Sequence, residues 1–169
     1  MDAIDCIFTR RSIRKFEKKP VPKELVTQIL QAAMAAPSAG NQQPWQFVVI
    51  DDRALLDVIP SVHPYAAMTA ESPVAILVCG DLSIESHKGY WVQDCSAAVQ
   101  NLLLTAHALG LGAVWTGIYP RPARVEGIRK LIHLPDSIVP LALVPIGYPA
   151  EKKGRVDRFD PARVHRNIW

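Results

Sequence analysis

The sequence has little of what usually marks a catalytic or metal-binding protein. Its three cysteines, Cys6, Cys79 and Cys95, stand far apart, and no CxxC or Cys/His pair has ligand spacing. A disulfide framework and a zinc site are therefore not expected. His63, His87, His107, His133 and His165 are just as scattered. There is no GxSxG, no GxxxxGK[ST] and no telling pair of carboxylates. No GxGxxG follows a strand pattern: "GLGAVWTG" ends a helical pattern rather than opening one, which argues against a Rossmann dinucleotide site. Long apolar runs are missing too. The longest, "PVAILVCG" and "IVPLALVPIG", fall far short of a membrane span. The start, "MDAIDCIFTRRS", has no apolar stretch of signal-peptide type. A cytoplasmic protein with no membrane partner is the expectation.

What remains is enough for one ordinary domain, 1–169. The chain is 49% apolar and only 21% charged, a composition that excludes disorder. Its mean hydropathy of +0.09 hints at apolar surface hidden between subunits. The net charge of +3, from 19 basic and 16 acidic residues, is too mild for a protein that coats nucleic acid. The excess is local, in residues 9–19 and again in 151–166.

Periodicity divides the chain. Residues 2–9 read as a short helix capped by Asp2. A second helix has Pro22 in its first turn and Val26, Ile29, Leu30 and Ala33 on one face, with Pro37 and Gly40 to stop it. "WQFVVI" (45–50) and the fully apolar "PVAILVCG" (73–80) read as strands, with a short helix and a loop between them. The longest helix spans 91–109, with Cys95, Val99, Leu102, Leu103, Ala106 and Leu109 on its deepest face, and it belongs in the core or an interface. "AVWTGIYP" (113–120) reads as a strand opening into a loop. An amphipathic helix turns Val125, Ile128, Leu131 and Ile132 inward, and "IVPLALVPIGYP" is the last strand. The tail has no core pattern, yet Ile168 and Trp169 are expected to dock. This order of elements implies an α+β fold of three layers.

Four stretches carry chemistry. In "RRSIRKF", four cations crowd one serine. A solvated basic turn is the plain reading; an anion clamp is the functional one, because guanidinium forks match phosphate oxygens. If the stretch is extended, residues 10, 12 and 14 share a side and Arg11 points away. Its backbone, just past a helix, is free to turn donors toward a ligand. "APSAGNQQPWQFVVI" has more than a helix stop needs: small residues that let backbone approach a flat ligand, then amides that bond both edges of a heterocycle. Gly117, beyond a strand end, can expose backbone amides. Lys152, Lys153, Arg155 and Arg158 form a second basic segment able to meet the first around one anion. No acid, base or nucleophile accompanies these donors, so a cofactor is expected to carry the chemistry.

"RRSIRKF", "APSAGNQQPWQFVVI", "DCSAAVQNLLLTAHALGLGAVWTG" and "IGYPAEKK…DRFD", in that order over nearly the whole chain, resemble the short form of the nitroreductase family. The resemblance implies a three-layer α-β-α sandwich around a mostly antiparallel sheet. It also implies a homodimer with two FMN sites at the subunit interface. Arg10 would hold the FMN phosphate, with Arg11, Ser12 and Arg14 continuing the contact. Pro37, Ser38 and Ala39 would reach the ring from the other subunit, with Asn41 and Gln43 at its edge. Trp115, Thr116 and Gly117 would bring backbone to the flavin, and Arg155 and Arg158 would return to the phosphate. NADH or NADPH would give hydride to flavin N5, and a small-molecule acceptor, such as a nitroaromatic or a quinone, would then take its place. The long insertion that walls the flavin in larger members is missing, which leaves the acceptor open. An FMN protein with another task, such as dehalogenation, flavin storage or fragmentation, stays open as well. A basic module for nucleic acid or an acidic partner leaves residues 36–45 unexplained.

Overall fold

Asp2 opens helix α1 (Ala3–Thr9) by accepting from the amides of Ile4 and Asp5 at 2.9 and 3.0 Å. Helix α2 (Lys23–Met34) follows, with Pro22 as its cap rather than inside its first turn, a difference of one position. After it come strand β1 (Trp45–Ile50) and helix α3 (Arg53–Val62), capped by Asp52 through the amide of Leu55. Strand β2 (Val74–Asp81) leads by a loop to helix α4 (Trp91–Ala108). Then come β3 (Gly112–Ala113), β4 (Thr116–Gly117), helix α5 (Pro122–Ile132) and strand β5 (Ile138–Gly147). This computed structural model describes residues 1–169. No helix is long and apolar enough to cross a membrane.

All strand pairs are antiparallel, in the order β1-β2-β5, with β3 and β4 both on the far side of β5. The sheet is covered on both faces, and β2 shows how. Val74, Ile76 and Val78 join the cluster beneath α2 and α4, whereas Ala75, Leu77 and Cys79 join the one beneath α3 and α5. Alternate residues of β5 divide the same way: Ala142, Val144 and Ile146 on the first face, Leu143 on the second. A strand buried on both faces has to be apolar throughout, as β2 is. Pro140 in β5 sits where the register with β2 shifts between Val78 and Cys79, a bulge that spares a ladder bond proline cannot make.

The strand expected over 113–120 is broken. Its register against β5 is the same on both sides of the gap, but Val114 and Trp115 leave the ladder. On its outer side Ala113 instead accepts from Ile13 N at 3.0 Å, so the edge here is shared with the basic stretch. Gly112 makes this approach possible: a Cβ there would lie 2.6 Å from Ile13 Cγ2. The tail expectation fails within this chain. Ile168 is 81% exposed and Trp169 99% exposed.

One core residue carries a pH signature. His63, at the end of α3, is fully buried, and neither ring nitrogen has a partner. Burial, then the charge of Arg124, lowers its pKa from the ordinary 6.5. The folded ring therefore refuses a proton that the unfolded chain accepts, and stability falls as the pH drops through about 6.5. His63→Leu should flatten that slope by at most about 1.4 kcal/mol per pH unit, one proton's worth. Chemical denaturation between pH 7 and pH 5 reads it directly. An unchanged slope would mean that His63 protonates in the fold.

Candidate functional site

The basic stretch leaves α1 at Arg10, whose amide still bonds Cys6 O at 3.0 Å. Beyond it the chain is extended and clasped by residues 148–154. Glu17 N donates to Tyr148 O at 2.8 Å and Ala150 N to Lys15 O at 2.9 Å. Arg14 N donates to Glu151 Oε1 at 2.6 Å, and Lys153 Nζ to Ser12 O at 2.7 Å. Those bonds correct one expectation. The amides of Ile13 and Arg14 are not free for a ligand, because Ala113 O has taken the first and Glu151 of the returning chain the second.

The guanidiniums divide by function. Arg11 Nε donates to Gly154 O at 2.8 Å and its Nη1 to Arg10 O, while Nη2 is buried without a partner. Arg10, Arg155 and Arg158 line a cleft of about 330 Å³ that Arg11 also borders, together with Asp157. Arg155 lies 4.6 Å over the Phe8 ring. None of these four arginines is in an ion pair. Burial, then the charges of Arg11 and Arg158, lowers the pKa of Arg10. Ser12 and Arg14 do not line this cleft. Arg11 also borders a second cleft of about 400 Å³, with His107, Glu151, Lys152 and Lys153. There the amide of Arg14, followed by Lys153, holds the Glu151 carboxyl below its ordinary pKa.

Residues 38–43 form a tight, unusual turn. Gly40, Asn41 and Gln43 all have positive φ, at 55, 54 and 48°. Such backbone persists only where its surroundings hold it. Gln43 N donates to Ser38 Oγ at 3.0 Å, and Gln43 Nε2 to Asn41 Oδ1 at 2.8 Å. The main support comes from α4. Asp94, only 4% exposed, accepts from Ala39 N at 2.9 Å and from Gln42 Nε2 at 2.7 Å. It makes no ion pair. Pro37 is exposed at the rim, and Trp45 is buried at the start of β1.

In β4, Thr116 turns its hydroxyl inward to Leu143 O at 2.7 Å, so that hydroxyl is not available to a ligand. Gly117 O accepts from Arg124 Nη1 at 2.9 Å. Trp115 is exposed, and the next aromatic along, Tyr119, packs edge-on against Trp91 at 4.9 Å between centroids. No hydrogen bond joins the basic stretch to residues 36–45. Neither cleft lined by the arginines reaches residues 36–45 or 115–117. Within one chain the three candidate segments therefore lie on separate surfaces.

There is no thiolate chemistry at hand, since burial pushes both Cys79 and Cys95 up to about 12. Sequence reasoning missed Asp94, His87 and Glu151, and it took the Gln42 amide for a ligand donor although it bonds Asp94 and His87. Asp94 did leave a trace: it is the one charged residue in the otherwise neutral helix α4.

Residues 7–148 match the Nitroreductase family, and the chain belongs to that family. A protein of Methanothermobacter thermautotrophicus, provisionally named NADH dehydrogenase/NAD(P)H nitroreductase, is 55% identical over 169 residues, covering 100% of this chain and 88% of the relative. The crystal structure of a protein with the same provisional name from Bacteroides thetaiotaomicron superposes with a TM-score of 0.95 at 46% identity, covering 99% of this chain and 98% of the other. A provisionally named nitroreductase from Desulfovibrio desulfuricans, solved in complex with FMN, is 31% identical with a TM-score of 0.86, covering 100% of this chain and 99% of that one. The three-layer fold described above is the nitroreductase fold.

Proposed function

We propose that the chain is an FMN-dependent NAD(P)H oxidoreductase that works as a homodimer and reduces a small-molecule acceptor, with quinones and nitroaromatics the classes in view. The observation that carries this reading is the cleft of Arg10, Arg155 and Arg158, with the inner nitrogen of Arg11 beside it: a set of cations with no carboxylate in an ion pair with any of them. A terminal phosphate supplies what this cluster lacks. FMN held there would supply the redox chemistry, hydride uptake from NADH or NADPH and electron delivery to the acceptor.

The chain's own part is to bind and orient. Arg10 and the tail arginines hold the phosphate. Ser12 and Arg14, further along the extended stretch, follow the cofactor away from it. The Gly117 backbone and the Asn41 side-chain amide of the 38–43 turn, which the turn's own bonds leave free to donate, face the heterocycle. Donor and acceptor use one position in turn. Because the 38–43 turn and the arginine cleft share no contact within one chain, a second copy supplying residues 37–43 completes each site. The exposed apolar side chains Ile4, Ile7, Phe8 and Met34 suit such an interface.

The purified protein should be yellow. Heat release should yield FMN rather than FAD on chromatography, and anaerobic NADH should bleach it. Light scattering with parallel flavin stoichiometry should give a dimer with one FMN per chain. FAD, or no flavin after reconstitution with FMN, would sink the reading. A stable monomer holding a full complement of FMN would sink the shared site alone.

A further inference from the structure

The loop from 82 to 90, between β2 and α4, is built onto the 38–43 turn. Gln42 Oε1 accepts from His87 N at 2.9 Å and lies 3.3 Å from Ser86 Oγ. Ser86 Oγ also lies 3.0 Å from His87 Nδ1. At the loop's other end, Glu85 Oε1 accepts from Trp91 N at 3.0 Å, which ties it to the first turn of α4. The His87 ring lies directly against Gly40: a Cβ on Gly40 would stand 2.3 Å from His87 Cε1. The ring is nonetheless exposed, with Tyr90 edge-on at 6.5 Å.

Within residues 36–45 and 82–90, His87 is the one exposed side chain with both a flat ring and a ring nitrogen. The Ser86 hydroxyl has one proton for two acceptors; Nδ1 is the nearer of them, and Gln42 Oε1 already has the amide of His87, so we assign that proton to Nδ1. With Nδ1 accepting, the proton of the neutral ring sits on Nε2, which has no partner. The arrangement is a tethered ring, resting on the proposed cofactor-binding turn, with a donor pointing outward.

We propose that His87 is a specificity residue that receives the electron acceptor, and that it favours quinones by donating from Nε2 to a quinone oxygen. This rests on the FMN reading above, and it adds the acceptor class and the residue that selects it. The tether through Gln42 matters because a loop side chain free to swing would lose much of the bond's value to conformational entropy.

The experiment uses the oxidised, FMN-loaded protein with no reductant present, so that binding is read without turnover. Titration with 1,4-naphthoquinone, followed by perturbation of the visible flavin band, gives a dissociation constant. His87→Ala should raise it roughly three- to tenfold, the effect of one lost hydrogen bond, and His87→Gln should recover part of the loss. In turnover, the KM for naphthoquinone should rise in His87→Ala by more than that for ferricyanide, which has no aromatic face. Equal dissociation constants for wild type and His87→Ala overturn the proposal. So does an equal rise in both KM values, which would make His87 a support for the loop and nothing more. A wild-type chain that takes up no FMN overturns this and the functional reading together, and that result appears at reconstitution, before any variant is compared.

Discussion

Arg10→Ala should cost the protein roughly ten- to a hundredfold in FMN affinity, the loss of one charge-assisted bond of about 1.5–3 kcal/mol. Arg11→Ala should cost less affinity and more stability. The two neighbours differ in what they already hold. Arg11 spends Nε on Gly154 O and Nη1 on Arg10 O, so it fastens the returning tail to the extended stretch. Arg10 makes no side-chain hydrogen bond and no ion pair, and it shares its cleft with Arg155 and Arg158. Calorimetric titration of apoprotein with FMN, alongside thermal melts of both variants, separates the two effects. Equal affinity losses at the two positions would mean that the wrong arginine has been placed on the phosphate. Raising the salt concentration should weaken binding of FMN to the wild type more than to Arg10→Ala, because screening acts on the charge that the variant lacks.

Asp94→Ala should be the most damaging single change outside the hydrophobic clusters. It leaves Ala39 N and Gln42 Nε2 without their shared acceptor, the one tie between helix α4 and a turn with three positive-φ residues. Losing two bonds to a buried carboxylate should cost about 3 kcal/mol, equivalent to roughly 6–12 °C in Tm for a chain of this size. Asp94→Asn should be milder, and informative. Its carbonyl can still serve Ala39 N, but its amide then faces the amide of Gln42. Gln42 has to flip, and flipping takes Oε1 away from His87 N and Ser86 Oγ. The Asn variant should therefore loosen residues 82–90 while the 38–43 turn survives. Faster hydrogen exchange confined to the loop would show it. An Asp94→Ala protein that melts within about 2 °C of wild type would falsify this account of the turn.

The layers were legible in the sequence because burial leaves a period. β2 has no polar residue between Val74 and Gly80, and only a strand covered on both faces needs that. The face of α2 with Val26, Ile29 and Ala33 reads off the helical spacing in the same way. The parity of residues 10–14 was legible only in part: Ile13, on the odd side, is buried against Gly112, but Arg11 borders the cleft of Arg10 while Ser12 and Arg14 lie outside it. The hidden part consists of contacts between residues far apart in the chain. Nothing near Ala39 announces Asp94, 55 positions away, and nothing near Arg14 announces Glu151, 137 positions away. A carboxylate that accepts from backbone amides leaves no pattern of its own. The break at Val114–Trp115 was equally invisible, since "AVWTGIYP" reads as one continuous strand and the partner of Ala113, Ile13, lies 100 positions away.

The place of β5 in the sheet also has a consequence for how the molecule comes into being. β2, β3 and β4 all precede β5 in the chain, and each of them pairs with it. Until residues 138–147 have been made, β2 has only β1 beside it, and β3 and β4 have no ladder. The exposed edge of an all-apolar strand is an invitation to pair with another chain. Long-range closure of this kind is also slow, because the entropy of the intervening loop is lost before any contact repays it. A nascent chain stalled ahead of Ile138 is thus a half-sheet with its stickiest strand uncovered. Synthesis, more than the finished fold, is where this protein is most exposed to aggregation and most dependent on chaperones.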